Sequence, residues 1–212
     1  MKLSNKFTLS RLIFAPIFFV IYMIPVWSGN SKLAFASACI MIPLLAIFQL
    51  TDYWDGHYAR KNGEVSDFGK LFDPFADVML NLTCFLCAMS SYETKIASYM
   101  PIIIFLLILY REFSQSFLRM LALKQGIAIA ARKSGKIKTV FYIGSSFIML
   151  AFESVIRLGL VPSICASFNI DSESLYSIFK ITLYCLYGIC LVLSYSSFLD
   201  YIKNFKSVFN EL

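Results

Sequence analysis

Four aspartates, Asp52, Asp55, Asp73 and Asp77, stand in the stretch TDYWDGHYARKNGEVSDFGKLFDPFADVML, residues 51–80. Asp52, Asp55 and Ala59 are spaced i, i+3, i+7, while Gly69, Asp73 and Asp77 are spaced i, i+4, i+8. On a pair of helices each set shares one face. The turn between them is short, so the helices are antiparallel neighbours and their ends gather four carboxylates. Negative charges this dense beside apolar sequence repel strongly. Either some take up protons, or a hard divalent cation sits among them; Mg²⁺ and Mn²⁺ prefer carboxylate oxygen. Two such ions suit displacement at phosphorus, where they hold the attacking and leaving oxygens. Gly56, Ala59 and Gly69 are small and would let a bulky ligand approach the backbone. One or two of the aspartates could be plain interfacial caps, but four at helical spacing with small residues between them fit that role poorly.

The elements that must position these residues are apolar helices. The chain of 212 residues is 58% hydrophobic and 15% charged, with a mean hydropathy of +0.70. A soluble domain is roughly a quarter charged, so the composition points to a polytopic membrane protein. Six runs are long enough to span, at roughly 7–27, 33–57, 70–90, 96–122, 138–160 and 174–202. WSGN (27–30), RKNGEVSD (60–67), SSYETK (90–95), KQG (124–126) with RKSGK (132–136), and FNIDSES (168–174) separate them as loop signals. The expectation is an all-α protein with six transmembrane helices, forming one integral-membrane domain over 1–212. The first apolar run is too long for a cleavable signal peptide and lacks a small-residue cleavage site.

All but Lys32, Lys95, Arg157 and Lys180 of the 19 lysines and arginines fall at one end of these spans. That end is cytoplasmic by the positive-inside rule, which places both termini and the aspartates there. The net charge of +6 reports orientation rather than nucleic-acid binding. The six cysteines (Cys39, Cys84, Cys87, Cys165, Cys185 and Cys190) lie in or beside apolar runs. With His57 the sole histidine, they read as packing residues rather than as a zinc site, which needs about four N/S ligands.

The spacing Asp52-x2-Asp55-Gly56-x2-Ala59-Arg60-x8-Gly69-x3-Asp73-x3-Asp77 resembles the signature of the CDP-alcohol phosphatidyltransferases, with every signature position filled. That family consists of six-helix membrane enzymes, usually homodimers, that move a phosphatidyl or similar group from a CDP-linked donor to an alcohol and release CMP. The resemblance implies two divalent metal ions (Mg²⁺ or Mn²⁺) on Asp52, Asp55, Asp73 and Asp77, with Asp77 as general base. It also implies donor contacts from Asp52, Gly56, Ala59, Arg60, Gly69 and Asp73.

Three further stretches, SNKFTLSRLIFAPIF (4–18), YREFSQSFLRM (110–120) and SGKIKT (134–139), resemble segments of the branch of that family that makes phosphatidylglycerophosphate; SSFLDYIKNF (196–205) is a weaker echo. The implied substrates are CDP-diacylglycerol and glycerol 3-phosphate. From the residues alone, Arg11, Arg111, Arg119, Lys136 and Lys138 map to the positive end and could grip a phosphate, or anchor lipid headgroups. Glu112 could orient Arg111, and Glu153 with Arg157, at i, i+4, reads as an ion pair or a snorkelling couple. Pro74 is expected near the first turns of the third span. Val78 departs from the lysine that often follows the fourth aspartate in that branch. The expected location is the inner (cytoplasmic) membrane, among membrane lipids. Rival functions are a family member with another acceptor (inositol phosphate, serine or phosphatidylglycerol), an aspartate-rich prenyltransferase and a divalent-cation transporter.

Overall fold

The computed structural model describes residues 3–61, 67–124 and 133–204, with side-chain surroundings for 9–50, 72–122 and 134–203. These residues form seven helices and no strand: α1 (Leu3–Ser28), α2 (Ser31–Lys61), α3 (Asp67–Cys87), α4 (Ile102–Lys124), α5 (Lys133–Arg157), α6 (Val161–Phe168) and α7 (Ser172–Asn204). Four of them contain stretches long and apolar enough to cross a membrane: Leu9–Ser28, Ser31–Leu50, Ser134–Arg157 and Ser172–Lys203, with mean hydropathies of 1.6 to 2.2. The other two long helices, α3 and α4, break their apolar sequence with Asp73 and Asp77, and with Arg111, Glu112 and Arg119. Ile17, Ile103, Phe117, Val140, Ile181 and Val192 all face outward. Such apolar exposure is no liability where hydrocarbon replaces water, and it marks the chain as a membrane protein.

Local chemistry sets the helix ends. Gly29 closes α1 at φ +62°, a conformation open to glycine without steric cost. Asn30 then accepts the Lys32 N–H at 2.9 Å and starts α2. At the end of α5, Gly159 has φ +68°. Leu160 N–H reaches Val155 O and Gly159 N–H reaches Ile156 O, each at 3.0 Å, which is the Schellman pattern. Asp171 caps α7 by accepting Ser174 N–H at 2.8 Å and the Ser174 hydroxyl at 2.7 Å; these bonds hold its carboxyl below the ordinary carboxylate range.

The bundle packs α1 against α2 and α3, α5 against α2, α3 and α7, and α4 against α3 and α7. Phe18, Tyr22, Phe85, Met149, Leu183 and Tyr187 are fully enclosed at its centre. The ring of Phe85 meets Tyr142 and Tyr187 edge-on, with centroids 4.9 and 5.2 Å away, the geometry that aromatic quadrupoles favour.

Several expected boundaries are corrected. The fourth helix begins at Ile102 rather than 96, because residues 88–101 form an irregular connection. There Tyr99 N–H and Met100 N–H both bond to Ala88 O, and Pro101 lends its carbonyl to Phe105 N–H as α4 opens. The fifth helix begins at Lys133, so Ser134, Gly135 and Lys136 are helical rather than loop. The short helix α6 was not expected. Pro74 is the eighth residue of α3, about two turns in, where it forfeits one backbone hydrogen bond.

Glu153 and Arg157 form a fully buried ion pair, with Arg157 Nε to Glu153 Oε1 at 2.8 Å and both side chains 0% exposed. Snorkelling is excluded by that burial. Glu153 also accepts Ser91 Oγ at 3.0 Å, Tyr92 N–H at 2.8 Å and Tyr99 OH at 2.7 Å. Arg157 Nη1 donates to Ser37 Oγ at 2.8 Å, and its guanidinium lies 4.4 Å from the Tyr22 ring centre. One carboxylate thus pins the 88–101 connection to α5, and its arginine pins α5 to α1 and α2. Removing one member of such a pair strands a buried charge, at a cost of roughly 3–5 kcal/mol. Glu153→Ala is expected to lower the melting temperature in detergent by about 10 °C, and Glu153→Leu with Arg157→Met to recover much of the loss. Equal melting temperatures for Glu153→Ala and wild type would show the pair to be dispensable.

Candidate active site

Asp73 and Asp77 lie one turn apart on α3, with side chains 48% and 39% exposed. Arg11, from α1, is 2% exposed and faces them. Its Nη1 donates to Asp77 Oδ1, and its Nη2 lies 3.9 Å from Asp73 Oδ1. The guanidinium is therefore counter-charge to the α3 carboxylates rather than a headgroup anchor at the bundle surface. Asp52, Asp55, Gly56, Ala59 and Arg60 fall on the last turns of α2, and Gly69 falls on the first turn of α3. The side chains of these six positions lie outside the described residues. Val78 is partly buried and packs against the core.

A second charged cluster sits between α4, α5 and α7. Glu112 Oε1 accepts Arg111 Nη1 at 2.7 Å, Lys138 Nζ at 2.7 Å and Tyr142 OH at 3.0 Å. Arg111 lies 5.6 Å from the Phe198 ring centre, and Lys138 4.8 Å from that of Tyr142. Arg111 and Glu112 are almost completely shielded and Lys138 nearly so. Nε and Nη2 of Arg111 are buried, with no hydrogen-bond partner among the described residues. Buried polar groups are nearly always satisfied, so these two N–H groups call for an acceptor.

Arg119 lies two turns beyond Arg111 on α4 and is partly buried. At i+8 it lies on the same face of α4 as Arg111. Two of these cations, Arg111 and Lys138, share one buried carboxylate, that of Glu112. A planar guanidinium with free donors beside an ammonium suits a phosphate, which can accept in two directions at once.

The structure thus brings Arg111 and Lys138 together on Glu112, with Arg119 on the same face of α4 as Arg111, and sets Arg11 against Asp73 and Asp77. It does not bring in Lys136, which is exposed; two residues from Lys138, it points to the other side of α5. Glu112 orients both Arg111 and Lys138, which settles the role left open for it. Tyr142 was missed, although its place one turn after Lys138 was a usable signal. Ser134 Oγ, which donates to Asp200 at 3.0 Å and ties the start of α5 to α7, was missed as well.

The described part of the aspartate site offers hard oxygen donors: two half-exposed carboxylates on one helix face. Gln49 and Asn81 border the same cavity as Asp77. This donor chemistry fits Mg²⁺ or Mn²⁺ and does not fit soft metals.

Comparison with known proteins agrees with this chemistry. The description "CDP-alcohol phosphatidyltransferase" matches residues 1–168. A Treponema pallidum protein named CDP-diacylglycerol–glycerol-3-phosphate 3-phosphatidyltransferase is 34% identical over 211 residues, 97% of this chain and 89% of its own. A Bacillus subtilis protein of the same name is 35% identical over 143 residues, 65% of this chain and 70% of its own. A Mycobacterium tuberculosis protein named probable phosphatidylglycerophosphate synthase is 31% identical over 138 residues, 65% of this chain and 60% of its own. The family match takes in α1 through α6, including both aspartate-bearing helices and the Arg111–Glu112–Lys138 cluster, and the chain belongs to the CDP-alcohol phosphatidyltransferase family.

Proposed function

We propose that this chain transfers the phosphatidyl group of CDP-diacylglycerol to glycerol 3-phosphate, giving phosphatidylglycerophosphate and CMP. The observation that carries the choice of acceptor is the buried Arg111 guanidinium, with two unsatisfied N–H donors beside Lys138. A desolvated cationic pocket favours an acceptor bearing phosphate over serine, whose own ammonium it would repel. The names of the relatives from T. pallidum and B. subtilis support the same pair of substrates.

In this proposal the whole chain is one membrane domain of six spans, α1 to α5 and α7, in the inner membrane. Both termini and the aspartates face the cytoplasm, because the positive-inside rule puts most lysines and arginines there. Two copies form a homodimer, as is usual in the family. CDP-diacylglycerol enters from the inner leaflet with its acyl chains between helices; Gly56, Ala59, Arg60 and Gly69 meet its cytidine diphosphate.

Asp52, Asp55, Asp73 and Asp77 would hold two divalent ions. When bound, these would supply positive charge for the diphosphate and the departing phosphate. Arg111, Arg119 and Lys138 hold the phosphate of the acceptor and so fix its free primary hydroxyl. Asp77, its carboxylate steadied by Arg11, takes the proton of that hydroxyl. The oxygen then bonds to the phosphorus nearer the lipid, and the bond from that phosphorus to CMP breaks, its electron pair leaving with CMP. Positioning and charge supply most of the rate in such transfers.

The test is CMP release from CDP-diacylglycerol by the purified protein with Mg²⁺ or Mn²⁺, across glycerol 3-phosphate, inositol phosphate, serine and phosphatidylglycerol. Release with glycerol 3-phosphate above the others is expected. Preference for another acceptor would reassign the branch. Mn²⁺ uptake into liposomes without any CMP release would replace the enzyme with a cation transporter.

A further inference from the structure

A small cavity of about 30 Å³ lies beside Asp77, bounded by the polar residues Arg11 of α1, Gln49 of α2, Asn81 of α3 and Thr139 of α5 and by the apolar Phe48, Leu80 and Ile143. Asn81 is one helical turn deeper along α3 than Asp77, about 6 Å at the rise of an α-helix. It prolongs the face that carries Gly69, Asp73 and Asp77. The residue is 7% exposed, and its Nδ2 donates to the Asp77 carbonyl at 2.9 Å. That carbonyl can only accept, so the bond fixes which way round the carboxamide sits. Oδ1 is left buried, with no hydrogen-bond partner among the described residues. A buried carboxamide oxygen without a donor costs roughly 1–3 kcal/mol, so the site is built to receive an O–H or N–H. The cavity is too small for a phosphate and large enough for a single hydroxyl or one water. Thr139 adjoins Lys138 in sequence, so the same turn of α5 serves both the cavity and the Glu112 cluster.

We propose that Asn81, with Gln49 opposite, is the subsite for the second, non-reacting hydroxyl of the acceptor. This inference rests on glycerol 3-phosphate being the acceptor. With its phosphate on Arg111 and Lys138 and its primary hydroxyl at Asp77, the molecule has one polar group left, the secondary hydroxyl. Asn81 Oδ1 accepts the proton of that hydroxyl. A site made to hydrogen-bond a substrate hydroxyl discriminates against the analogue lacking it, because its own polar group then stays unpaired. Asn81 and Gln49 are therefore specificity-determining residues for a reaction whose proton transfer belongs to Asp77.

The test compares glycerol 3-phosphate with 3-hydroxypropyl phosphate, which lacks only the secondary hydroxyl, in CMP release from CDP-diacylglycerol. The wild type is expected to prefer glycerol 3-phosphate by roughly tenfold to hundredfold in kcat/KM. Asn81→Leu, similar in size and without an acceptor, is expected to lose that preference by slowing with glycerol 3-phosphate only. Gln49→Leu is expected to weaken it in the same direction. A wild type that uses both acceptors equally overturns the inference whether or not the variants fold. So does an Asn81→Leu enzyme slowed equally with both, the result of a cavity that merely holds a structural water. CMP release with neither acceptor would instead overturn glycerol 3-phosphate as the substrate.

Discussion

Asp77→Asn is expected to remove nearly all CMP release while leaving the helical bundle intact. An amide has no basic oxygen comparable to a carboxylate, so the acceptor hydroxyl would keep its proton. General-base catalysis is worth about 10²–10⁴ in rate, and a drop of about three orders of magnitude is the expected reading. The fold should survive because the Asp77 side chain is 39% exposed, and because Arg11 keeps Asp73 within reach. The melting temperature should therefore move by only a few degrees. Mn²⁺ titration followed by electron paramagnetic resonance gives a second readout without turnover. The variant should bind Mn²⁺ more weakly, because a neutral amide replaces one charged oxygen donor. Near-normal turnover would remove Asp77 from the proton transfer, and unchanged Mn²⁺ binding would remove it from the metal site.

Four of the helices were legible because each carries a run of apolar residues that hydropathy alone marks out; α3 and α4, whose apolar runs are interrupted by charge, were legible from the loop signals on either side. Their ends were less so. Ile96 to Met100 is mostly apolar and reads as span, yet those residues fold back on Ala88 and on the buried Glu153. Nothing local announces this, since Glu153 is 54 residues from Tyr99, and Arg157 is 120 from Ser37. The i, i+4 spacing of Glu153 and Arg157 gave the pair; only tertiary structure gave its burial. In the opposite sense, polar Ser134, Gly135 and Lys136 read as loop, but they are the first turns of α5, leading to a lysine buried by its neighbours.

The same contrast holds at the site. Asp73 and Asp77 follow from helical periodicity, and so does Asn81 once the period is carried one turn further. Lys136 and Lys138 are alike in sequence and opposite in structure, because two residues on a helix turn the side chain to the other face. Which lysine joins Arg111 depends on where α4 lies against α5, and a single sequence does not state that.

Glu112→Gln should expose how the phosphate pocket is kept ready. Glu112 is 3% exposed and holds Arg111, Lys138 and Tyr142 through one oxygen. An ammonium and a guanidinium this deeply buried stay compatible with the fold because that carboxylate compensates them. Glutamine preserves the shape and removes the charge, leaving two desolvated cations without a counter-ion. The melting temperature in the absence of acceptor is expected to fall by about 10 °C. Turnover should fall roughly tenfold to hundredfold, since the cations that place the acceptor lose their own placement. The distinguishing result lies in ligand dependence. A phosphate dianion entering the pocket replaces the missing charge, so glycerol 3-phosphate should raise the melting temperature of the variant more than that of the wild type. Inorganic phosphate should do the same more weakly, because it lacks the hydroxyls. A glutamine variant as stable as wild type, with the same response to glycerol 3-phosphate, would mean that Arg111 and Lys138 do not form the phosphate site and that their charges are neutralised by another route.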